Sequence, residues 1–337
     1  MPPGSLAESF VGTIAAGRYR VIQLLGSGGT GHVYLAEPIS SDRGPAPVGA
    51  PARVALKVLR VEHETNAALV ARFEREAAAA ARIRHPNVLE VNGIERTREG
   101  RRFFAMELLV GLDLADTLAF SRTLRPTRAV RIAVGVAEGL GAAHRAGVIH
   151  RDVKPENIFL VHAPDGRELV KLLDFGFASL QEPQESDSGP NSSRGDGAPN
   201  SYRVQAAEAS IPPSGPRPPP SSRRSTVVGT PEYMAPEQAQ GAAPHPSADV
   251  YSLGIALYEM LVGRVPFVGD SYPAIAYQHL GQQPSPMSRY NPALGISNDL
   301  EVVVARALAK SPEARFDSME AVRRALLATP EAAGSGQ

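Results

Sequence analysis

The residues most able to do chemistry lie in one short stretch, 150–157, which reads His-Arg-Asp-Val-Lys-Pro-Glu-Asn. The stretch follows a predicted helix and precedes a short apolar strand, so we expect an exposed loop on a rigid base. Its acid Asp152, the lysine two positions later (Lys154) and the amide five positions later (Asn157) can converge on one phosphoryl group and its metal. We therefore predict a site that handles a phosphoryl group at this loop.

A second acid, Asp174, directly follows a predicted strand at 169–173 and is followed by Phe175 and Gly176. A carboxylate at a strand end suits Mg²⁺, a hard cation that prefers oxygen ligands. The tripeptide is common by itself, but its position 17 residues after Asn157 is not. We interpret Asp174 as a metal ligand.

Glycines that could approach phosphates lie at Gly26, Gly28 and Gly31, in the pattern G-x-G-x-x-G. Dinucleotide-binding folds share this pattern, but there a helix follows, whereas residues 33–36 here read as a strand. No Gly-Lys-Ser/Thr closes a Walker loop. The pattern is typical of a glycine hairpin whose backbone N–H groups bind phosphate, and a plain flexible hairpin is the structural alternative.

Lys57 lies on the next predicted strand and is one of only four lysines, against 31 arginines among the 35 basic residues. A compact ammonium that contacts two phosphates fills a role that suits a guanidinium poorly. The predicted helix at 65–84 offers Glu74 and Glu76 as ion-pair partners, and only one of them can face the strand. Glu76 lies on the more apolar side of the helix, so we choose Glu76 and keep Glu74 as the fallback.

The elements that must position these residues belong to a chain of 337 residues with a formal charge of zero and no cysteine. Neutrality argues against a nucleic-acid binder, and the absence of cysteine excludes disulfide scaffolds and zinc–thiolate sites. No signal peptide or transmembrane stretch is expected, which predicts a cytoplasmic protein.

The pattern predicts a small, mostly β unit with one helix at 19–107 and a mainly helical unit at 108–328. The first contains a predicted loop insertion at 38–53. The second contains the tract 181–224, where 22 of 44 residues are Pro, Ser or Gly, so we predict disorder. Residues 1–18 and 329–337 are predicted tails.

Further motifs follow the tract: Gly-Thr-Pro-Glu-Tyr-Met-Ala-Pro-Glu at 229–237, Asp249 at the start of a long apolar helix, and Arg315. All these elements, in this order, resemble the eukaryotic-type (Hanks-type) protein kinase superfamily, in the style of the bacterial serine/threonine kinases. The resemblance covers residues 19–327 apart from the two insertions. It implies an α+β, bilobal protein-kinase fold, with a small antiparallel β-sheet N-lobe carrying one αC helix and a mainly helical C-lobe.

The resemblance also implies an ATP site in the cleft between the lobes. The glycine hairpin would cover the phosphates, Val33, Ala55 and Phe159 would sandwich adenine, Met106 would be the gatekeeper, and Glu107 and Leu109 would bond adenine at the hinge. The full set of ATP-binding residues implied is Leu25, Gly26, Ser27, Gly28, Gly29, Thr30, Gly31, His32, Val33, Ala55, Lys57, Met106, Glu107, Leu109 and Phe159.

In the chemistry implied by the resemblance, Lys57, held by Glu76, binds the α/β-phosphates, and Asp152 accepts the substrate hydroxyl proton. Lys154 steadies the γ-phosphate. Asn157 and Asp174 would hold Mg²⁺, with Mn²⁺ as a substitute. Lys154 with Thr230 is the serine/threonine pattern. The residues given structural roles are His150, Arg151, Phe175, Glu237 (paired with Arg315) and Asp249.

Arg151 indicates a kinase switched by phosphate in its activation segment, and Thr226, with Ser225 beside it, is the expected phosphosite. The implied partners are protein substrates and a second copy of the chain for autophosphorylation in trans, with no nucleic acid and no membrane segment. Two alternatives remain: an ATP-binding pseudokinase scaffold, which the intact Lys57, Asp152, Asn157 and Asp174 disfavour, and a small-molecule phosphotransferase, which the 229–237 motif disfavours.

Overall fold

The computed structural model describes residues 10–39, 53–162, 166–176, 178–180, 230–290 and 292–333. Residues 40–52 of the predicted 38–53 loop and the predicted disordered tract 181–224 lie outside these residues, as do Ser225 and Thr226. The described chain consists of an N-terminal β-sheet lobe (residues 10–107) and a mainly helical C-terminal lobe (residues 108–333).

The N-terminal lobe is one antiparallel sheet with the strand order β1-β2-β3-β4-β6-β5. One helix, α1 (Ala67–Ala81), packs against its inner face, where Phe73 lies 5.0 Å from the ring of Phe104. The helix begins after Asn66, whose side chain accepts hydrogen bonds from the amides of Ala68 and Leu69. The strands are β1 (Ile14–Ala15), β2 (Tyr19–Ser27), β3 (Gly31–Pro38), β4 (Val54–Leu59), β5 (Val91–Arg96) and β6 (Arg102–Glu107).

The outer face of this sheet carries a second apolar cluster, and the segment before β2 covers it. Phe10 is buried there, 5.1 Å from the ring of Tyr34, and the Arg101 guanidinium lies over its other side at 5.0 Å. The prediction of a tail at 1–18 is therefore wrong from Phe10 onward. Aromatic burial and the pairing of β1 with β2 hold this segment in place.

The C-terminal lobe is mainly helical. Its central helix, α5 (Ser247–Val262), is buried over nearly its whole length, as expected of a core helix. The glycines of α3 allow close packing: a Cβ on Gly139 would lie 2.8 Å from the Asn87 carbonyl oxygen. The helices are α2 (Leu114–Ser121), α3 (Pro126–Arg145), α4 (Pro236–Ala239), α5 (Ser247–Val262), α6 (Tyr272–Gly281), α7 (Asn298–Ala307), α8 (Met319–Leu327) and α9 (Pro330–Ala333).

The last helix corrects the predicted tail at 329–337. The Glu331 carboxylate is buried and accepts hydrogen bonds from the backbone amide and hydroxyl of Ser297 at 2.7 and 2.8 Å. These contacts attach α9 to the start of α7. Within the described ranges, no helix combines the length and apolar character needed to cross a membrane.

Five short strands carry the chain into and out of the predicted functional loops. They are β7 (Gly111–Asp113), β8 (Val148–Ile149), β9 (Ile158–His162), β10 (Glu168–Leu172) and β11 (Ser179–Leu180). The sheets are β10-β9-β7 and β11-β8. The 150–157 loop therefore lies between β8 and β9, and Asp174 lies two residues after β10.

Candidate active site

An apolar pocket of about 450 Å³, open to solvent, lies between the two lobes. Eight residues predicted to bind ATP line it: Leu25, Gly26, Val33, Ala55, Met106, Glu107, Leu109 and Phe159. Leu89, Leu108 and Leu173 also line it and were not predicted. Leu173 directly precedes Asp174, a signal that could have identified it, whereas Leu89 comes from a loop with no motif of its own.

The glycine hairpin joins β2 and β3, and its tip does not line the pocket. Gly28 donates its amide to the Gly31 carbonyl at 2.8 Å, and the Ser27 hydroxyl lies 2.8 Å from His32 Nδ1. A Cβ on Gly31 would lie 2.6 Å from the Val58 carbonyl oxygen on β4. Gly31 is thus required for the close approach of two strands, besides any approach of phosphate.

Lys57 and Glu76 form a buried ion pair beside the pocket. The Lys57 ammonium lies 2.5 and 2.7 Å from the two carboxylate oxygens. Burial raises the pKa of the Glu76 carboxyl, Lys57 opposes that rise, and Asp174 adds to it. Glu74, the fallback, instead accepts a hydrogen bond from Arg102 at 2.8 Å. The structure therefore pairs Lys57 with the glutamate chosen from the apolar stripe.

The 150–157 loop brings Asp152, Lys154, Asn157 and Thr230 together. Lys154 Nζ lies 2.9 Å from Asp152 Oδ2 and donates to the Thr230 hydroxyl at 3.0 Å. Asn157 donates its amide to the Asp152 carbonyl oxygen at 2.7 Å and to Oδ2 at 3.1 Å. An acid, an ammonium and a hydroxyl residue thus share one network across two distant parts of the chain.

Asp249 supports this loop from α5. Its fully buried carboxylate accepts hydrogen bonds from the amides of His150 (3.0 Å) and Arg151 (2.8 Å), and lies 2.7 Å from His144 Nε2. Arg151 has a φ of 67°, in the left-handed region that non-glycine residues rarely adopt. The carboxylate therefore stabilises a strained turn directly before Asp152.

Asp174 lies close enough to Glu76 for its charge to raise the pKa of the Glu76 carboxyl. It is buried, has a φ of 53°, and its Oδ1 accepts the Gly176 amide at 2.9 Å. His150 Nε2 lies 2.9 Å from the Leu173 carbonyl oxygen, and its ring centroid lies 4.7 Å from that of Phe175. The loop and the Asp-Phe-Gly segment thus hold each other.

The predicted Glu237–Arg315 pair is present and buried. Arg315 donates both terminal nitrogens to the carboxylate at 2.6 and 2.7 Å, and its other donors bind the carbonyls of Ser247, Ala309 and Lys310. This bidentate geometry anchors the segment that begins at Thr230 to the helical core.

Two acids, the buried Asp113 and the half-buried Glu259, escaped the sequence interpretation. Asp113 begins α2 by accepting the Asp116 amide at 2.6 Å, and burial raises its pKa to about 6. Glu259 on α5 accepts a hydrogen bond from the Tyr233 hydroxyl, and burial raises its pKa to about 6 as well. An aspartate directly before a helix is an N-cap signal, but nothing in the sequence indicates the burial of either acid.

Comparison with known proteins agrees with this geometry. The family described as "Protein kinase domain" matches residues 19–327. The serine/threonine-protein kinase Pkn3 of Myxococcus xanthus is 37% identical over 321 residues, which cover 95% of this chain and 51% of that protein. The serine/threonine-protein kinase PknB of Mycobacterium tuberculosis is 35% identical, covering 92% of this chain and 42% of that protein.

Among solved structures, the kinase domain of Mycobacterium tuberculosis PknI superposes with a TM-score of 0.61 at 28% identity. The match covers 94% of this chain and 97% of that one. The chain spans about half the length of the curated relatives it matches. Since the family match runs from β2 to the end of α8, the chain belongs to the protein kinase family and has its bilobal fold.

Proposed function

We propose that this chain transfers the γ-phosphate of ATP to serine or threonine hydroxyls of proteins. The single observation that carries the proposal is the Asp152–Lys154–Thr230 network, which occurs together with the buried Lys57–Glu76 pair and an apolar pocket between the lobes. A base (Asp152), two lysine ammonium groups (Lys57 and Lys154) and a pocket between the lobes are parts that phosphoryl transfer requires, because its catalysis is mainly positioning and charge stabilisation.

Each side chain has a role that its surroundings support. The apolar walls around Val33, Ala55 and Phe159 suit a flat adenine ring, and the backbone at Glu107 and Leu109 offers it hydrogen bonds. Lys57, fixed by Glu76, binds the α- and β-phosphates. Asp152 accepts the proton of the attacking hydroxyl, and the Lys154 ammonium, already 2.9 Å from it, steadies the γ-phosphate.

The donor atoms near Asp152 fit a divalent cation. Asn157 Oδ1 is buried and has no hydrogen-bond partner among the residues that the structure describes, although its amide nitrogen donates twice to Asp152. An acceptor oxygen in this state is stabilised by a hard cation. Asn157 and Asp174 would hold Mg²⁺, or Mn²⁺ in its place. When bound, such a cation neutralises charge on the phosphate oxygens.

The Lys154–Thr230 contact supports serine/threonine rather than tyrosine specificity, since both residues follow the serine/threonine pattern. The substrates are proteins. Arg151 is the residue whose guanidinium would bind the phosphate once Thr226 or Ser225 carries it. Phosphorylation of that segment by a second copy of the chain follows from the same chemistry. We place the activity in the cytoplasm, where ATP is available, with the kinase domain at 19–328 and no nucleic-acid partner.

The test is peptide mass spectrometry of the purified chain before and after incubation with Mg²⁺ and ATP, beside Asp152→Asn. We expect additions of 80 Da, one phosphate each, in the wild type alone, at Thr226, Ser225 or the serines of 181–224. A wild type that phosphorylates neither itself nor a generic protein substrate contradicts the proposal. A melting shift with Mg-ADP in that case identifies an ATP-binding scaffold.

A further inference from the structure

Lys171 is a buried lysine that the phosphoryl-transfer site does not use. It lies on β10, and its ammonium lies 2.6 Å from Glu107 Oε1 and 3.4 Å from the Val88 carbonyl oxygen. Its side chain is 10% exposed, against 29% for Glu107. The ion pair crosses from the C-terminal lobe to the end of β6, where the chain enters the segment that joins the lobes.

The same carboxylate also binds the neighbouring edge of the N-terminal lobe. Glu107 Oε1 accepts the Glu90 amide at 2.8 Å, and the Glu107 amide donates to the Glu90 carbonyl at 3.1 Å. Glu107 itself lines the pocket. Lys171 therefore reaches the pocket wall through Glu107, whose carboxylate it holds from the C-terminal lobe.

The segment that follows α1 is attached to β10 as well. The Leu172 amide donates to the Asn87 carbonyl at 2.8 Å, and the Leu89 amide donates to the Leu172 carbonyl at 3.0 Å. The Asn87 side chain donates to the Val170 carbonyl at 2.8 Å. Five polar links thus join β10 to the N-terminal lobe and the loop after α1: these three hydrogen bonds and the two contacts of the Lys171 ammonium with Glu107 and Val88.

Three parts of the site meet at this junction. Residues 87–89 lie in the loop that follows α1, the helix that carries Glu76. β10 ends two residues before Asp174, and Glu107 begins the segment that joins the lobes along the pocket. The lysine is the one member of the junction whose charge contacts both the carboxylate and the loop after α1. Its removal would leave the Glu107 carboxylate without its cation but would keep all three amide hydrogen bonds.

A neighbouring ion pair on the same strand shows what a purely local role looks like. Arg128 on α3 donates to Glu168 on β10 at 2.6 and 3.2 Å, with side-chain exposures of 32% and 12%. That pair lies entirely within the C-terminal lobe. The two pairs share a strand and a similar burial, and differ in whether they connect the lobes.

We propose that Lys171 is a positioning residue that fixes the pocket wall and the loop after α1 relative to Asp174, and so sets nucleotide affinity through Glu107. Without it, the lobes rotate more freely about the connecting segment, and the competent geometry is a smaller share of the ensemble. The inference rests on the proposed kinase function for its kinetic readout, but not for its binding and exchange readouts.

The experiment compares Lys171→Met with Arg128→Met in the full chain. We expect Lys171→Met to raise the KM for ATP and the Kd for Mg-ADP about tenfold, as the loss of one charge-assisted hydrogen bond does. Amide hydrogen exchange at 87–91 and 107–109 should accelerate in the same variant. Arg128→Met should lower the melting temperature while leaving nucleotide affinity and exchange at these segments unchanged. Lys171→Arg should recover most of the affinity.

Equal KM, Kd and exchange in the two methionine variants would overturn the proposal and make Lys171 a structural residue only. If Lys171→Met does not fold, Glu107→Gln removes the same charge pair while keeping an acceptor for Glu90, and it must show the same loss of Mg-ADP affinity. A wild type that binds Mg-ADP but transfers no phosphate would contradict the proposed function alone, because binding and exchange still decide the role of Lys171.

Discussion

Asp249→Asn is the change that most directly separates the support of the site from its chemistry. The Asp249 carboxylate is not among the groups that line the pocket, and it accepts hydrogen bonds from the amides of His150 and Arg151, with His144 Nε2 at 2.7 Å. An asparagine keeps one acceptor oxygen and replaces the other with an NH₂ group. When the oxygen faces His150 and His144, the NH₂ group faces the Arg151 amide, so a donor meets a donor.

The cost follows from this geometry. A buried amide left without its acceptor costs about 1–3 kcal/mol, and the left-handed conformation of Arg151 costs another 1–2 kcal/mol or so once nothing holds it. We therefore expect a loss of about 2–5 kcal/mol in the free energy of unfolding, roughly 4–20 °C in Tm for a domain near this size. Because Asp152 is the next residue, a displacement of ~1 Å there should lower kcat by about 100-fold.

The assay pairs initial rates of phosphate transfer with thermal unfolding at pH 7. Burial alone would raise the pKa of Asp249, but the hydrogen bond and charge of His144, the charge of His150 and the Arg151 amide outweigh it and lower the pKa. A carboxyl with a lowered folded-state pKa contributes stability above its unfolded pKa and loses it as the pH falls, so the contribution is complete at pH 7. Asp299→Asn, at an exposed aspartate on α7, is the control. A rate within twofold of wild type and an unchanged Tm would refute the reasoning.

Four further changes test other parts of the structure. Gly31→Ala should weaken nucleotide binding and lower Tm, because its Cβ would lie 2.6 Å from a carbonyl oxygen of β4, and titration with Mg-ADP measures this. Glu237→Gln should lower the free energy of unfolding by about 3 kcal/mol or more in urea, since it leaves the charge of Arg315 buried, and Arg315→Met in the same chain should recover part of the loss. Burial, and to a smaller degree the charge of Lys310, lowers the pKa of His279 to about 4. The wild type should therefore lose up to about 3 kcal/mol of stability as the pH falls from 6.5 to 4, and His279→Gln should not show this loss. Phe10→Ala should lower stability by about 3 kcal/mol in the same urea assay, whereas a disordered tail would give no change.

Much of the site follows from spacing in the sequence. Lys57 and Glu76 meet because a strand residue in an apolar run and a helix residue on an apolar stripe must both face the interior. The 150–157 loop converges because two short strands hold its ends. In both cases local periodicity fixes the direction of the side chain, and a single long-range packing step completes the contact.

The contacts that escaped the sequence depend on the junction between lobes or on the ends of the chain. Lys171 and Glu107 lie 64 positions apart and have no motif in common, although the scarcity of lysine already set Lys171 apart. Phe10 was assigned to a tail because the short segment around it, rich in Gly, Ala and Pro, shows no regular periodicity. Glu331 was assigned to the C-terminal tail because its two hydrogen bonds come from Ser297, a residue 34 positions earlier that no local pattern connects to it.

These cases share a physical cause, because each contact joins elements that lie far apart in the chain. Periodicity reports the face that each element buries, but it does not report which elements from different lobes touch. A lone lysine on a strand is compatible with a solvated surface or with a buried junction, and only the position of its carboxylate decides between them. The sequence identified most residues that would perform the reaction, whereas it missed Lys171, which joins the C-terminal lobe to Glu107 and to the loop after α1. Since the proposed transfer needs Lys57 from one lobe and Asp152 from the other, this link limits those residues: the geometry around the pocket is only as well defined as the junction formed by Lys171, Glu107 and the loop after α1.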